Sequence, residues 1–458
     1  MNAITVETPP GAGRYTHALA AYVAETSADA IPADVRREAR RALLNYLGCA
    51  LGGSREPAVD IAIEVLGPYS GDRTAAVLGR AERFDPLNAA LLNGIGSHVH
   101  EYDDTLPKNY MHASVPVASA LFAFASARRV SGADFVHAFI LGFEAESRIG
   151  NAVYPAHYEA GWHITATAGV FGAAASIGRL LGLSTAQTVW AFGLAATQAA
   201  GIREMFGSMA KSFQPGRAAQ NGYTAALFAR AGFTAGERAL EGPRGFAPVT
   251  AAEHDLEKIT QGLGTDFDLR VNAYKPYACG LVVHPTIDGC TRLRKRHSID
   301  PDDVAAVRLR VAPLVLDLCN QKDLRRALQT KYSIYHAAAI GLVRGKGGLA
   351  EFTEEALHDA KLARIRSLTT AVADPAVGED QADIEVELAD GTVLHERVEE
   401  SLGNLRRPLS DEQLEEKFRD QAVCALPADR VERLIESCRR IDELENVGDL
   451  VRLATPAR

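Results

Sequence analysis

Residues 32–53, PADVRREARRALLNYLGCALGG, decide the fold class. Apolar side chains recur at Val35, Ala39, Ala42, Leu43, Tyr46, Leu47 and Ala50, a three- and four-residue spacing that lays one stripe along a helix. Pro32 stands near the helix start and Gly52 and Gly53 near its end, as proline's fixed φ and glycine's freedom favour. The same pattern recurs at 86–94, 115–128, 132–147, 164–181, 185–201 and 217–231. Several of these runs are apolar nearly all round and rich in Ala and Gly, which predicts fully buried helices in close backbone approach. The run 180–202 reads as a buried helix pair and not a membrane span, because Ser, Thr and Gln interrupt it.

Further along, the period changes. Residues 305–311 (AAVRLRV), 382–388 and 392–398 alternate like strands, the last two joined by Asp390 and Gly391, a turn-forming pair. Helix-like stretches lie at 285–294 and 333–345. Beyond Pro408, Ser410 stands three residues before Gln413, the spacing of a capping box. The expectation is a mainly α protein. Its large all-helical domain, 1–265, would be completed by C-terminal helices 401–458, and a smaller α+β lid domain, 266–400, would hold an antiparallel sheet.

Composition narrows the function classes. The 458 residues are 47% apolar and 23% charged, as in a globular chain with a large core. A net charge of -9 disfavours a nucleic-acid partner and an anionic membrane surface. Six cysteines without a CxxC pair read as buried thiols of a reducing compartment. Residues 1–14 read as a loose leader without signal-peptide character, which points to the cytoplasm. The GAG at 11–13 follows no strand and precedes no GK[ST], so it is not taken for a phosphate loop.

The chemistry-bearing groups concentrate in 97–114, SHVHEYDDTLPKNYMHAS, where three histidines and three acids lie between apolar runs. Such a cluster is costly to bury unless its members pair or face a cleft. His98, His100, Asp103 and Asp104 match the opening of some metal hydrolases, but such sites draw further ligands from strand ends, and this region reads as helical. A polar loop whose acids cap helices is the plainer alternative. His163 stands at the start of an apolar helix, where the dipole disfavours imidazolium; a hydrogen-bonded core histidine fits equally. Lys211 is an anion clamp or a snorkelling surface lysine. Lys275, His284, Tyr332, Tyr335 and His336 follow in two further polar clusters. Histidines that exchange protons, with lysines that hold carboxylates, suit proton removal next to a carboxylate. No nucleotide, flavin or pyridoxal motif and no GxSxG elbow is present.

Taken in order, IPADVRREARRALLNYLGCALGG, HEYDDT…H, GWHITATAGVFGAAA, SMAKSFQPGRAAQNG, EGPRGF, YKPYACGLVVHPTID and KYSIYHAAA resemble the MmgE/PrpD family over nearly the whole chain. That family includes 2-methylcitrate dehydratase, cis-aconitate decarboxylase and iminodisuccinate epimerase. The resemblance implies a homodimer acting on small di- and tricarboxylates without metal or organic cofactor, at a site between two domains. By motif, Asp104 and Thr105 fall in the acidic loop beside the reacting carbon, and His112 and His163 are the acid–base histidines. Lys211 and Lys275 would bind substrate carboxylates, with Tyr335 lining the pocket. Glu101 stands where the family commonly has Asp, HAS replaces HPS after the loop, and His112 comes one residue later than in the decarboxylase branch. That branch also carries a histidine near the position of Gly280. The leading expectation is a cofactor-free lyase of dehydratase or decarboxylase type. Epimerisation of an amino-dicarboxylate is the alternative, and a metal-dependent hydrolase built on His98 and His100 the remote one.

Overall fold

The computed structural model describes residues 13–456, so most of the predicted leader, and with it Gly11, lies outside the described residues. The chain forms two compact units. The first comprises the chain up to Val99, Asp103–Asn272 and Leu414 onward; the second comprises His100–Tyr102 and Ala273–Gln413.

At the centre of the first unit lies the helix Ile164–Leu181, packed by Gly132–Val153, Met209–Arg230 and Ser114–Ala127. Small residues permit unusually close approach among these helices and Pro86–His98. A Cβ placed on Gly222 would lie 2.4 Å from the Val170 carbonyl oxygen, and one on Gly94 would lie 2.3 Å from the Gly216 Cα. Among the described residues Ile164–Leu181 is the one helix long and apolar enough to cross a membrane, and 83% of it is buried inside the fold. Its apolar surface is consumed by packing against its neighbours.

The opening stretch forms the helix Ala33–Gly52, with Pro32 as N-cap and Gly53 as C-cap. All seven stripe residues are buried, none more than 2% exposed. The face bearing Gly48 and Gly52 receives Phe418 and Gln421 from the C-terminal segment, and Lys417 Nζ donates to Asn45 Oδ1 at 2.7 Å. The run 180–202 is not a helix pair. It holds the end of Ile164–Leu181, a reversal through Gly182 at φ 66°, and the helix Thr185–Ala196. Ser184 and Gln187 cap that second helix reciprocally. The first unit also carries a two-residue strand pair, Ala75–Ala76 with Arg83–Phe84, so it is not wholly helical.

The sheet of the second unit corrects an expectation: it is mixed, not antiparallel. Its order is Thr369–Ala373, Val304–Val311, Ala382–Leu388, Val393–Val398, and the first pair runs parallel. A parallel neighbour requires a crossover, supplied here by helices that include Ile334–Val343 and Ala360–Leu368. The five-residue edge strand follows directly on a helix, which conceals its alternation in sequence. The hairpin turns through Gly391 at φ 85°, with Leu388 N donating to Thr392 O at 2.8 Å. Against the sheet packs His284–His297, where Gly289 leaves room for Ile384 and Val398. Ser410 and Gln413 exchange the two hydrogen bonds of the capping box. Five of the six cysteines are buried, and Cys424 is exposed.

Candidate functional site

In the first unit the helix Pro86–His98 is held at its start by Asp85, whose carboxylate accepts from Leu87 N and Asn88 N. Its last residue is His98, fully buried. The loop after it returns Asp103 to this ring, with His98 Nδ1 2.8 Å from Asp103 Oδ2. His112 Nδ1 lies 3.2 Å from the same oxygen, 2.9 Å from the Asp104 carbonyl oxygen and 3.1 Å from Thr105 Oγ1. The His112 backbone N–H donates to Thr165 Oγ1 at 3.0 Å, which ties the loop to the central helix. Turning back over these residues, the loop takes Tyr110 to φ 58°, a left-handed conformation uncommon outside glycine.

Two adjacent acids have opposite electrostatics. Burial acts to raise the Asp103 carboxyl, but the His112 and His98 imidazoles outweigh it and hold the group well below the usual carboxylate range. Burial pushes Asp104 up to about 6, and the Asp103 charge adds to this against hydrogen bonds from Ser114 and Asn272. Asn272 Nδ2 reaches Asp104 Oδ2 at 2.6 Å, and Ser114 Oγ donates to the same oxygen.

His163 is the N-cap of Ile164–Leu181, and its backbone N–H donates to the Gly201 carbonyl at 3.0 Å. Its ring stacks on His98 with centroids 5.9 Å apart and meets Phe206 edge-on at 5.2 Å. Lys211, in the first turn of Met209–Arg230, places Nζ 4.7 Å from the centre of the Phe206 ring. His112, His98, His163, Phe206 and Lys211 therefore form one continuous array, buried except at the half-buried Phe206. Of the predicted residues, Asp104, Thr105, His112, His163 and Lys211 all belong to this unit.

The predicted residues of the second unit are Glu101, Lys275 and Tyr335. Glu101 holds φ 56°. Lys275 Nζ donates to its carbonyl at 3.2 Å and lies 3.9 Å from its carboxylate, and Tyr332 OH donates to Oε1 at 2.8 Å. Lys331 Nζ donates to the carbonyls of His100 and Ala278. The Tyr335 hydroxyl donates to Asn320 Oδ1 at 2.6 Å, and its ring lies under Lys322. His336 shares a hydrogen bond with the Glu351 carbonyl oxygen at 2.8 Å, and burial pushes it down to about 4. That is the behaviour of a structural histidine.

His98, Asp103 and His112 are the group among the described residues whose donor atoms lie close enough to hold a metal, all within 4.8 Å. The geometry is that of hydrogen bonds instead. Both imidazole nitrogens aim at one carboxylate oxygen at 2.8 and 3.2 Å, whereas ligands about 2.1 Å from a tetrahedral ion stand farther apart. An open cleft of about 1080 Å³ also exists in this unit, lined by Trp162, Arg238, Arg244 and Phe246 among others. It includes part of the EGPRGF stretch and Glu237 but no imidazole.

The sequence alone places His98 and Asp103 in a metal-hydrolase-like opening or in a polar capping loop, not as partners of His112. Adjacent aspartates in EYDDT look alike in sequence; the fold alone turns one toward two imidazoles and the other toward an amide and a hydroxyl.

The MmgE/PrpD N-terminal domain model matches residues 17–259, and the C-terminal domain model matches 277–443. The chain belongs to the MmgE/PrpD family. It is similar to a cis-aconitate decarboxylase-like protein of Aspergillus oryzae, 29% identical with 98% of each chain covered. It is also similar to cis-aconitate decarboxylase of Aspergillus terreus, 27% identical over 94% of each. The human cis-aconitate decarboxylase is 27% identical, over 92% of this chain and 90% of its own. As a member of this family the chain is an enzyme of the lyase type.

Proposed function

We propose that this lyase transfers a proton alpha to a carboxylate of a small di- or tricarboxylate such as aconitate or 2-methylcitrate, in a dehydration or a decarboxylation without metal or organic cofactor. The observation that carries the reading is the buried array of His112, His98 and His163, with the Lys211 ammonium beside the Phe206 ring. His112 and His163 exchange the protons, with Asp104 and Thr105 shaping the loop beside the reacting carbon. Lys211 and Lys275 bind carboxylates, and Glu101 and Tyr335 complete the substrate contacts. In a dehydration, the electron pair of the broken C–H bond forms the double bond while a protonated imidazole gives its proton to the departing hydroxyl, which leaves as water. In a decarboxylation of an unsaturated acid, the electron pair of the broken carbon–carboxylate bond forms the new double bond as carbon dioxide departs, the pair of the existing double bond moves onto the carbon alpha to a remaining carboxylate, and an imidazole protonates that carbon. The developing dianion is where a neighbouring ammonium contributes most, on the order of 3–4 kcal/mol for a well-placed group. We place the enzyme in the cytoplasm as a homodimer, on the strength of its thiols and the family resemblance.

Purified protein incubated with citrate, 2-methylcitrate, the aconitate isomers and amino-dicarboxylates, followed by mass spectrometry, tests this reading. Loss of water or carbon dioxide from one tricarboxylate is expected; inertness toward the whole panel would sink it. A second reading has its own observation: His112 meets the His98 ring edge-on at 66°, while His163 stacks on it at 27°, so two bases present different orientations. Two bases also serve epimerisation. Deuterium entering recovered substrate in heavy water, with no other change of formula, would select it.

A further inference from the structure

The carboxylate of Asp103 does something the acid–base assignment does not use. It is 1% exposed, and its Oδ2 is shared between the Nδ1 atoms of His98 and His112. Around His112 Nδ1 stand the Asp103 carboxylate oxygen at 3.2 Å, the Asp104 carbonyl oxygen at 2.9 Å and the Thr105 hydroxyl at 3.1 Å. The first two cannot donate, so a lone pair on Nδ1 would face both, whereas an N–H satisfies them, and the Thr105 hydroxyl, able to accept as well as donate, suits that N–H equally. The neutral His112 ring therefore carries its proton on Nδ1 and its lone pair on Nε2. The same argument fixes His98 as an Nδ1–H donor to Asp103. Among the described residues, His98 Nε2 has no hydrogen-bond partner, so the Asp103 contact is what orients that ring. The two rings meet edge-on, 4.8 Å between centroids, so the carboxylate is gripped from two directions.

We propose that Asp103 is the positioning residue of this enzyme: it selects the tautomer of His112, makes Nε2 the atom that exchanges the proton, and is itself held by His98. This rests on the reading of His112 as an acid–base group. When Nε2 takes a proton, the resulting imidazolium stands beside a carboxylate already oriented toward it, without rearrangement.

Nitrogen NMR of the full chain with ¹⁵N-labelled histidine tests this directly, the His112 signals being assigned by their loss in His112→Gln. The wild type is expected to show His112 protonated on Nδ1; protonation on Nε2 would overturn the proposal. In Asp103→Asn an amide can donate to Nδ1, so a shift toward the other tautomer and a fall in turnover of roughly a hundredfold are expected. Asp103→Glu, which keeps the carboxylate, should recover part of that loss and retain the Nδ1–H signal. Should Asp103→Asn fold poorly, the wild-type signal and Asp103→Glu still decide. Turnover is followed on the tricarboxylate that the panel identifies. An inactive His112→Gln with a fully active Asp103→Asn overturns the positioning role and spares the acid–base reading. An active His112→Gln overturns that reading, while the nitrogen signals continue to report on the tautomer.

Discussion

At the scale of single residues, the first unit places groups of contrasting protonation within one loop. Asp104 holds its proton up to about 6 because burial penalises the charge and Asp103 adds to the penalty. An unfolded aspartate releases its proton near about 3.9. The folded state thus binds the extra proton, and its stability falls as pH rises from about 4 through about 6, then levels off. Asp104→Asn removes this dependence. Denaturant titrations should show the variant gaining on the wild type by roughly 3 kcal/mol between pH 4 and pH 7. Parallel stability curves would mean that Asp104 ionises as easily as a surface carboxyl. Two substitutions address chemistry. His163→Ala removes the ring that lies between His98 and Phe206, and Lys211→Ala removes the ammonium on Phe206. Each should lower turnover by about a hundredfold or more with the fold intact by circular dichroism. Near-normal rates in both would withdraw these residues from the mechanism.

At the scale of elements, the helices of the first unit approach so closely that glycine is required at the crossings. Gly222 lies where Met209–Arg230 meets Ile164–Leu181, and a methyl group there would meet the Val170 carbonyl oxygen at 2.4 Å and the Ala174 nitrogen at 2.7 Å. Both are backbone atoms and have no rotamer with which to yield. Gly222→Ala should therefore cost about 1–3 kcal/mol, read as a lower denaturant midpoint, even though alanine is the better helix former. An unchanged or raised midpoint would show that these helices can separate at little cost. The displacement also matters for function, because Ile164–Leu181 carries His163 at its start and Thr165 beneath His112.

At the scale of the whole chain, each unit is built from segments distant in sequence. The final segment, from Leu414 onward, belongs to the first unit, where Phe418 covers Gly48 and Lys417 bonds Asn45. Ending the chain after Gln413 would expose the face of Ala33–Gly52 that these residues bury. A lower melting temperature or aggregation is expected for that truncation, followed by circular dichroism on heating. Unaltered melting would mean that the tail is dispensable. Likewise, residues 100–102 pack with the second unit although their sequence neighbours on both sides belong to the first.

The amino-acid sequence determined the helices, because periodicity and end signals are local: the buried stripe of Ala33–Gly52 and the hairpin turn at Gly391 can each be read from a few adjacent residues. It also carried the family, through motifs whose order survives without knowledge of contacts. Tertiary structure decided what depends on distant residues meeting. It added the parallel edge strand, whose partner lies some sixty positions earlier. It brought Tyr332 and not Tyr335 to Glu101, and it turned Asp103 toward two imidazoles. Neighbouring residues in a loop share composition and spacing, so only the direction of each side chain, set by the packing around it, tells them apart.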